Sequence, residues 1–146
     1  MLTRLLRFEF FKRHHEYGVV FLRLLIGLFI IHGVQDNISS VARMTEFERF
    51  LAERGVPSAS FAARLSCYTQ FVCGVSILLG AWIRLTSVVF IINFICAIAI
   101  AHRGHSFQQM FPALMMIAAG LFFLLHGAGP LSTDGFLDRR AQADTR

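Results

Sequence analysis

Four apolar runs, each close to the ~20 residues a helix needs to cross the hydrocarbon core of a bilayer, decide what this chain can fold into. They occupy 17–34, 65–83, 85–101 and 110–129. In lipid every backbone N–H and C=O must be satisfied within the protein, so runs of this kind fold as helices. Composition agrees: hydrophobic residues make up 55% and charged ones 16%, against roughly 25% charged in soluble domains, and the mean hydropathy is +0.60. The 146 residues suffice for one domain. The expectation is an all-α, integral membrane four-helix bundle.

The stretches between the runs predict the rest of the architecture. Arg84 alone separates the second and third runs, so it serves as the whole turn of a tight antiparallel hairpin. The segment between runs one and two carries Thr45 and Glu48 at capping-box spacing. Phe47, Phe50, Leu51 and Arg54 follow at i, i+3, i+4 and i+7, and Gly55 sits where a helix ends. This predicts a short amphipathic surface helix between helices 1 and 2, stopped before Pro57. Ser58 or Ser60 can cap the next helix, which then starts before its membrane entry. Residues 1–16 mix Arg4, Arg7, Lys12 and Arg13 with Leu and Phe and read as a basic interfacial anchor. Residues 135–146 form a polar C-terminal tail. Ser40-Val41-Ala42 has small-x-small spacing but lies too far beyond the first run for a signal-peptide cleavage site.

The formal charge of +5 comes with no basic stripe and no nucleic-acid motif, so no nucleic-acid partner is expected. Instead the basic residues flank the apolar runs, as orientation and anionic-lipid contact require. Arg4, Arg7, Lys12, Arg13, Arg84, Arg139, Arg140 and Arg146 fall on one side. Arg43, Arg49, Arg54, Arg64 and Arg103 fall on the other, four of them among acids. The positive-inside rule then places both termini in the cytoplasm.

Polar residues inside the runs carry whatever chemistry the chain has. An arginine at the centre of a membrane helix costs ~2.5–3.5 kcal/mol on insertion scales, so Arg23 has a task there. At 1.5 Å per residue, His32, Cys67, Gln70, Cys96 and His102 come out near the outer surface, with His105 and Gln109 in or beside the outer loop. Asn93 comes out mid-membrane, and Arg23, His126 and Asp134 near the inner surface. Imidazoles, an amide and a thiol at one level suit the carbonyl oxygens of a quinone head group. His32, Gln70, His102 and Cys96 are therefore the candidate cofactor-binding residues. The bland alternative makes His32 a helix-end residue, His102 and His105 loop residues, and Gln70 an interhelical hydrogen-bonding group worth ~1 kcal/mol. No metal site is expected, since no pair has metal-ligand helical spacing. Cys67, Cys73 and Cys96 form no C-x-x-C pair and read as packing residues. Arg23, His126, Asp134, Gly27, Gly74, Gly80 and Arg84 form the structural set. Arg23 meets Asp134 or the C-terminal carbonyls of the fourth helix, and the small residues let helix backbones approach closely. Arg23 and His32 are nine residues apart, on opposite faces of one helix, and cannot belong to one site.

Four stretches together resemble the DoxX family of bacterial four-helix membrane proteins. They are Arg23-x-x-x-Gly27 with His32-Gly33, then FERFLAERGVPSAS, then Gln70 followed by Gly80 and Arg84, and finally GAGPLSTDGFLDRR with Asp134. The resemblance covers residues 20 to 140. Two positions depart from it: the family commonly has glutamate where this chain has Gln70, and lysine where it has Asp36. The resemblance implies a bacterial inner (cytoplasmic) membrane location and a membrane subunit linked to redox metabolism. Lipid, other membrane or redox proteins and further copies of the chain are its expected contacts. The leading expectation is a quinone bound in an outer-leaflet pocket, with the redox centre in a partner, so that the chain is not catalytic alone. The alternative is a non-catalytic scaffold that recruits or stabilises partner proteins.

Overall fold

The computed structural model describes residues 16–101, 106–129 and 131–144. The elements among the described residues are all helices: α1 (Glu16–Ser39), α2 (Val41–Glu53), α3 (Ala59–Leu79), α4 (Ile83–Ala101), α5 (Phe107–His126) and α6 (Thr133–Asp144). Helices α1, α3, α4 and α5 are each long and apolar enough to cross a membrane. The protein is an all-α membrane bundle.

Helix ends differ from the expected ones where local hydropathy does not set them. α2 begins four residues before Thr45, capped by the Ser40 side chain, which accepts from the Arg43 amide at 3.4 Å. Thr45 is inside the helix and its hydroxyl donates back to the Val41 carbonyl, so Thr45 and Glu48 are not a capping box. α3 does follow Ser58, but with Ser58 in the left-handed region and without a side-chain cap. The turn between α3 and α4 is Gly80-Ala81-Trp82. Gly80 ends α3 at φ 64°, the left-handed conformation that glycine adopts without penalty, and Arg84 is a residue of α4. The polar tail after residue 132 folds as α6. Most of the basic N-terminal segment lies outside the described residues.

Backbone contact explains how the pairs pack. A Cβ on Gly27 would lie 2.9 Å from the Gly74 carbonyl, and one on Gly74 would lie 3.2 Å from the Gly27 carbonyl. α1 and α3 therefore cross at glycine distance. In lipid, where apolar burial gives helices little preference for one another, such close packing is a main source of association. On α5, Gly120 instead makes room for the side chains of Ile91 and Phe90 of α4. One core runs through the bundle, from Val19, Ile26 and Ile30 through Cys73, Ile77 and Phe90 to Met116 and Phe123. A second lies under α2, where Met44 and Leu51 bury against Ala63 and Cys67, with Phe47 and Phe50 alongside. Large apolar residues such as Phe21, Leu25, Leu85 and Leu125 point outward, as a lipid-facing surface requires.

Candidate functional site

Two polar constructions occupy the bundle, and they use their hydrogen bonds differently. The first is at the end holding Arg23. This side chain is buried, with 3% of its surface exposed. Its Nε donates to the Ile77 carbonyl at 2.9 Å and Nη2 to Leu78 at 2.7 Å; Nη1 donates to Ala128 at 3.0 Å and Leu131 at 2.8 Å. Four of the five guanidinium protons are spent. The Ile77 and Leu78 carbonyls belong to the last turn of α3, which has no intrahelical donors. Arginine thus adds a second donor to Ile77, whose carbonyl also accepts from the Gly80 amide, supplies one to Leu78, and ties the helix end to the segment after α5. Of these carbonyls Ala128 lies in the fourth apolar run (110–129), Leu131 just beyond it, and the other two in α3.

Asp134 does not pair with Arg23 in a salt bridge. Its carboxylate accepts from the Trp82 and Ile83 amides at 2.7 and 2.9 Å, capping the N-terminus of α4 from fifty residues away. Asp134 N–H also donates to the Gly80 carbonyl and the Thr133 hydroxyl to Leu79. The hairpin turn is held from both sides. A Cβ on Gly80 would stand 2.6 Å from the Arg23 guanidinium carbon, so the turn glycine also makes room for the arginine.

The second construction is a ring of Ser66, Gln70 and Asn93 between α3 and α4, each half-buried. Gln70 Nε2 donates to Asn93 Oδ1 at 2.9 Å and to Ser66 Oγ at 3.2 Å, and Asn93 Nδ2 donates to Ser66 Oγ at 3.2 Å. Because α3 begins at Ala59, Gln70 stands midway along its helix, level with Asn93, and not near a helix end as its place in the apolar run suggests. Both Gln70 amide protons are used. Asn93 keeps its second amide proton, Ser66 its hydroxyl proton and Gln70 its Oε1, without a partner among the described residues.

His32 and Cys96 make no hydrogen bond to the ring. His32 is exposed on α1 and its Nδ1 meets Gln35 Nε2 at 2.7 Å. It lies on the face opposite the buried Arg23, as their spacing requires. Cys96 is a free, exposed thiol one turn beyond Asn93. His102 and His105 lie outside the described residues. Cys67 and Cys73 are buried and free, and the Cys67 sulfur accepts from Asn37 Nδ2 at 3.6 Å. His126 stacks on Phe122 with ring centroids 5.1 Å apart. Ser66 and Asn93 are the ring members missed as site residues; the i, i+4 spacing of Ser66 and Gln70 on one helix face was the available signal.

The clefts are elsewhere. One of about 850 Å³ opens at the Arg23 end, bounded by the α3–α4 turn, the segment after α5 and the start of α6. One of about 250 Å³ lies where α1, α2 and α3 meet, with Asn37, Thr45 and Tyr68 on its walls and the Arg64–Glu48 ion pair (3.2 Å) beside it. Neither is lined by His32, Gln70 or Cys96.

Comparison with known proteins adds the family. The DoxX family model matches residues 18–103. The uncharacterized membrane protein Rv3486 of Mycobacterium tuberculosis is 31% identical over 142 residues, covering 86% of this chain and 85% of that protein. No solved structure matches the chain. With the arginine-clamped turn, the surface helix and the four apolar helices in place, the chain belongs to the DoxX family.

Proposed function

We propose that this protein is the membrane subunit of a redox assembly and takes the head group of a quinone at the Ser66–Gln70–Asn93 ring. The supporting observation is the unspent hydrogen-bonding capacity of that ring. Midway along two membrane helices, three half-buried side chains keep an amide proton, a hydroxyl proton and a carbonyl oxygen without a partner among the described residues, where leaving polar groups unpaired is costly. Asn93 Nδ2 suits a quinone carbonyl and Gln70 Oε1 suits a quinol hydroxyl, so one amide pair serves both forms. A bound quinone supplies two-electron, two-proton capacity, while the chain's own groups hold and orient the ring. The redox centre belongs to a partner protein. With the basic termini on the cytoplasmic face of a bacterial inner membrane, the Arg23 end is cytoplasmic and the His32 end faces outward.

Titration of the purified protein with ubiquinone and menaquinone analogues tests the reading. Asn93→Leu and Gln70→Ala are expected to weaken binding at least about tenfold, and His32→Ala to leave it unchanged. Absent binding, or binding indifferent to both ring substitutions, refutes it. Binding lost on His32→Ala alone instead puts the quinone at the far end of α1.

A further inference from the structure

The large cleft at the Arg23 end carries charges that its own walls do not pair. Arg84 and Asp138 both line it, both are exposed, and neither makes an ion pair or hydrogen bond among the described residues. Opposite charges in one cleft that stop short of each other leave room for something carrying both signs. Of the other acids on the wall, Asp134 is spent on capping α4 and Glu16 is already engaged.

The surroundings say at what level the cleft lies. Trp82 is 74% exposed at the hairpin turn, and indole at a membrane helix end marks the head-group layer. Beside it Leu85 and Leu137 are more than half exposed, giving an apolar wall continuous with the lipid-facing side of α4. The cleft floor is backbone: Gly127, at φ 84°, bears no side chain where a Cβ would come within 3.7 Å of Arg84 Nη2. The volume of about 850 Å³ falls within the 300–1,000 Å³ typical of small-molecule sites.

We infer that this cleft binds the head group of a zwitterionic phospholipid, its phosphodiester on Arg84 and its ammonium on Asp138. The planar guanidinium pairs with two phosphate oxygens at once, the primary amine donates to the carboxylate, and the acyl chains leave along Leu85. The site shares no residue with the quinone ring, and neither proposal depends on the other.

Lipid retention by the purified full chain tests it, read by native mass spectrometry after delipidation and exchange into micelles containing phosphatidylethanolamine, phosphatidylglycerol or both. Wild type is expected to prefer phosphatidylethanolamine. Arg84→Gln is expected to lower retention of both lipids at least about tenfold, and Arg84→Lys to lower it less. Asp138→Asn is expected to abolish the preference while retaining phosphatidylglycerol. Equal retention of the two lipids by wild type overturns the inference, as does indifference to Arg84→Gln or a preference that survives Asp138→Asn. Inorganic phosphate or a menaquinone analogue that displaces the lipid at equal concentration overturns it as well.

Discussion

Replacing Arg23 by leucine tests the central structural claim, that this side chain holds the end of α3 and the segment after α5 to one point. Hydrogen bonds from a charged donor contribute about 1.5–3 kcal/mol each, so the four bonds of Arg23 would sum to about 6–12 kcal/mol if nothing opposed them. Desolvation of the guanidinium opposes them, and breaking a buried charged interaction by deleting one partner costs about 3–5 kcal/mol. Leucine fills the volume but donates nothing to the four carbonyls, so Arg23→Leu should lose about 3–5 kcal/mol. Arg23→Lys keeps the charge but cannot place donors in a fixed fork, and should lose less. The assay is reversible unfolding of the detergent-solubilised protein by sodium dodecyl sulfate, followed by circular dichroism and by the emission of Trp82. That residue is the chain's sole tryptophan and sits in the clamped turn, so the Leu variant should shift its emission before helix is lost. A loss below about 1 kcal/mol, the net value of a single neutral hydrogen bond, with Trp82 emission unchanged would show that the turn stands without the clamp.

Three further outcomes follow from the same geometry. Both Asp134 oxygens accept an amide, so Asp134→Asn keeps one acceptor and should cost about 1 kcal/mol, and Asp134→Ala up to about 2 kcal/mol, in the same unfolding assay. Gly27→Ala forces a methyl against the Gly74 carbonyl and Leu78 and should cost about 1–3 kcal/mol. Gly18→Ala meets nothing within 4 Å and should be neutral or gain up to about 1 kcal/mol, so equal effects at the two glycines would refute the close α1–α3 crossing. A lipid-permeant maleimide should label Cys96 first, with Cys67 and Cys73 reacting only on unfolding; mass spectrometry of the labelled peptides decides.

What the sequence displays and what it hides divide along physical lines. The membrane helices are legible because burial in lipid acts on every residue of a run, and α2 is legible because Phe47, Phe50 and Leu51 repeat at helical spacing. Helix ends are less so. The hydropathy of α3 begins at Leu65, yet the helix begins at Ala59 because Ala63 packs under Met44 and Leu51 of α2, a tertiary contact. That six-residue difference moves Gln70 from a helix end to mid-helix, where it bonds Asn93. Ser40 outcompetes Thr45 as the cap of α2 because α1 has just ended, and the Thr45 hydroxyl finds a carbonyl inside the helix. The capping of α4 by Asp134 spans fifty residues, and no local pattern announces it.

The two polar constructions also differ in what they leave available. At the clamped turn, Arg23 and Asp134 satisfy backbone groups that helix ends expose, and four of five guanidinium protons and both carboxylate oxygens are consumed. A group so fully engaged has nothing to offer a ligand without releasing the fold. In the ring Ser66 Oγ only accepts, so its hydroxyl proton, one Asn93 amide proton and Gln70 Oε1 are left over among the described residues. The family's common glutamate at this position would bring an ionisable group into the middle of the bundle; Gln70 replaces it with an amide that donates to Asn93 and still accepts. A ring of amides and a hydroxyl has no proton to exchange near neutral pH. If a quinone is reduced while held there, its protons must arrive from water or from the partner. This chain's contribution under that proposal is position alone.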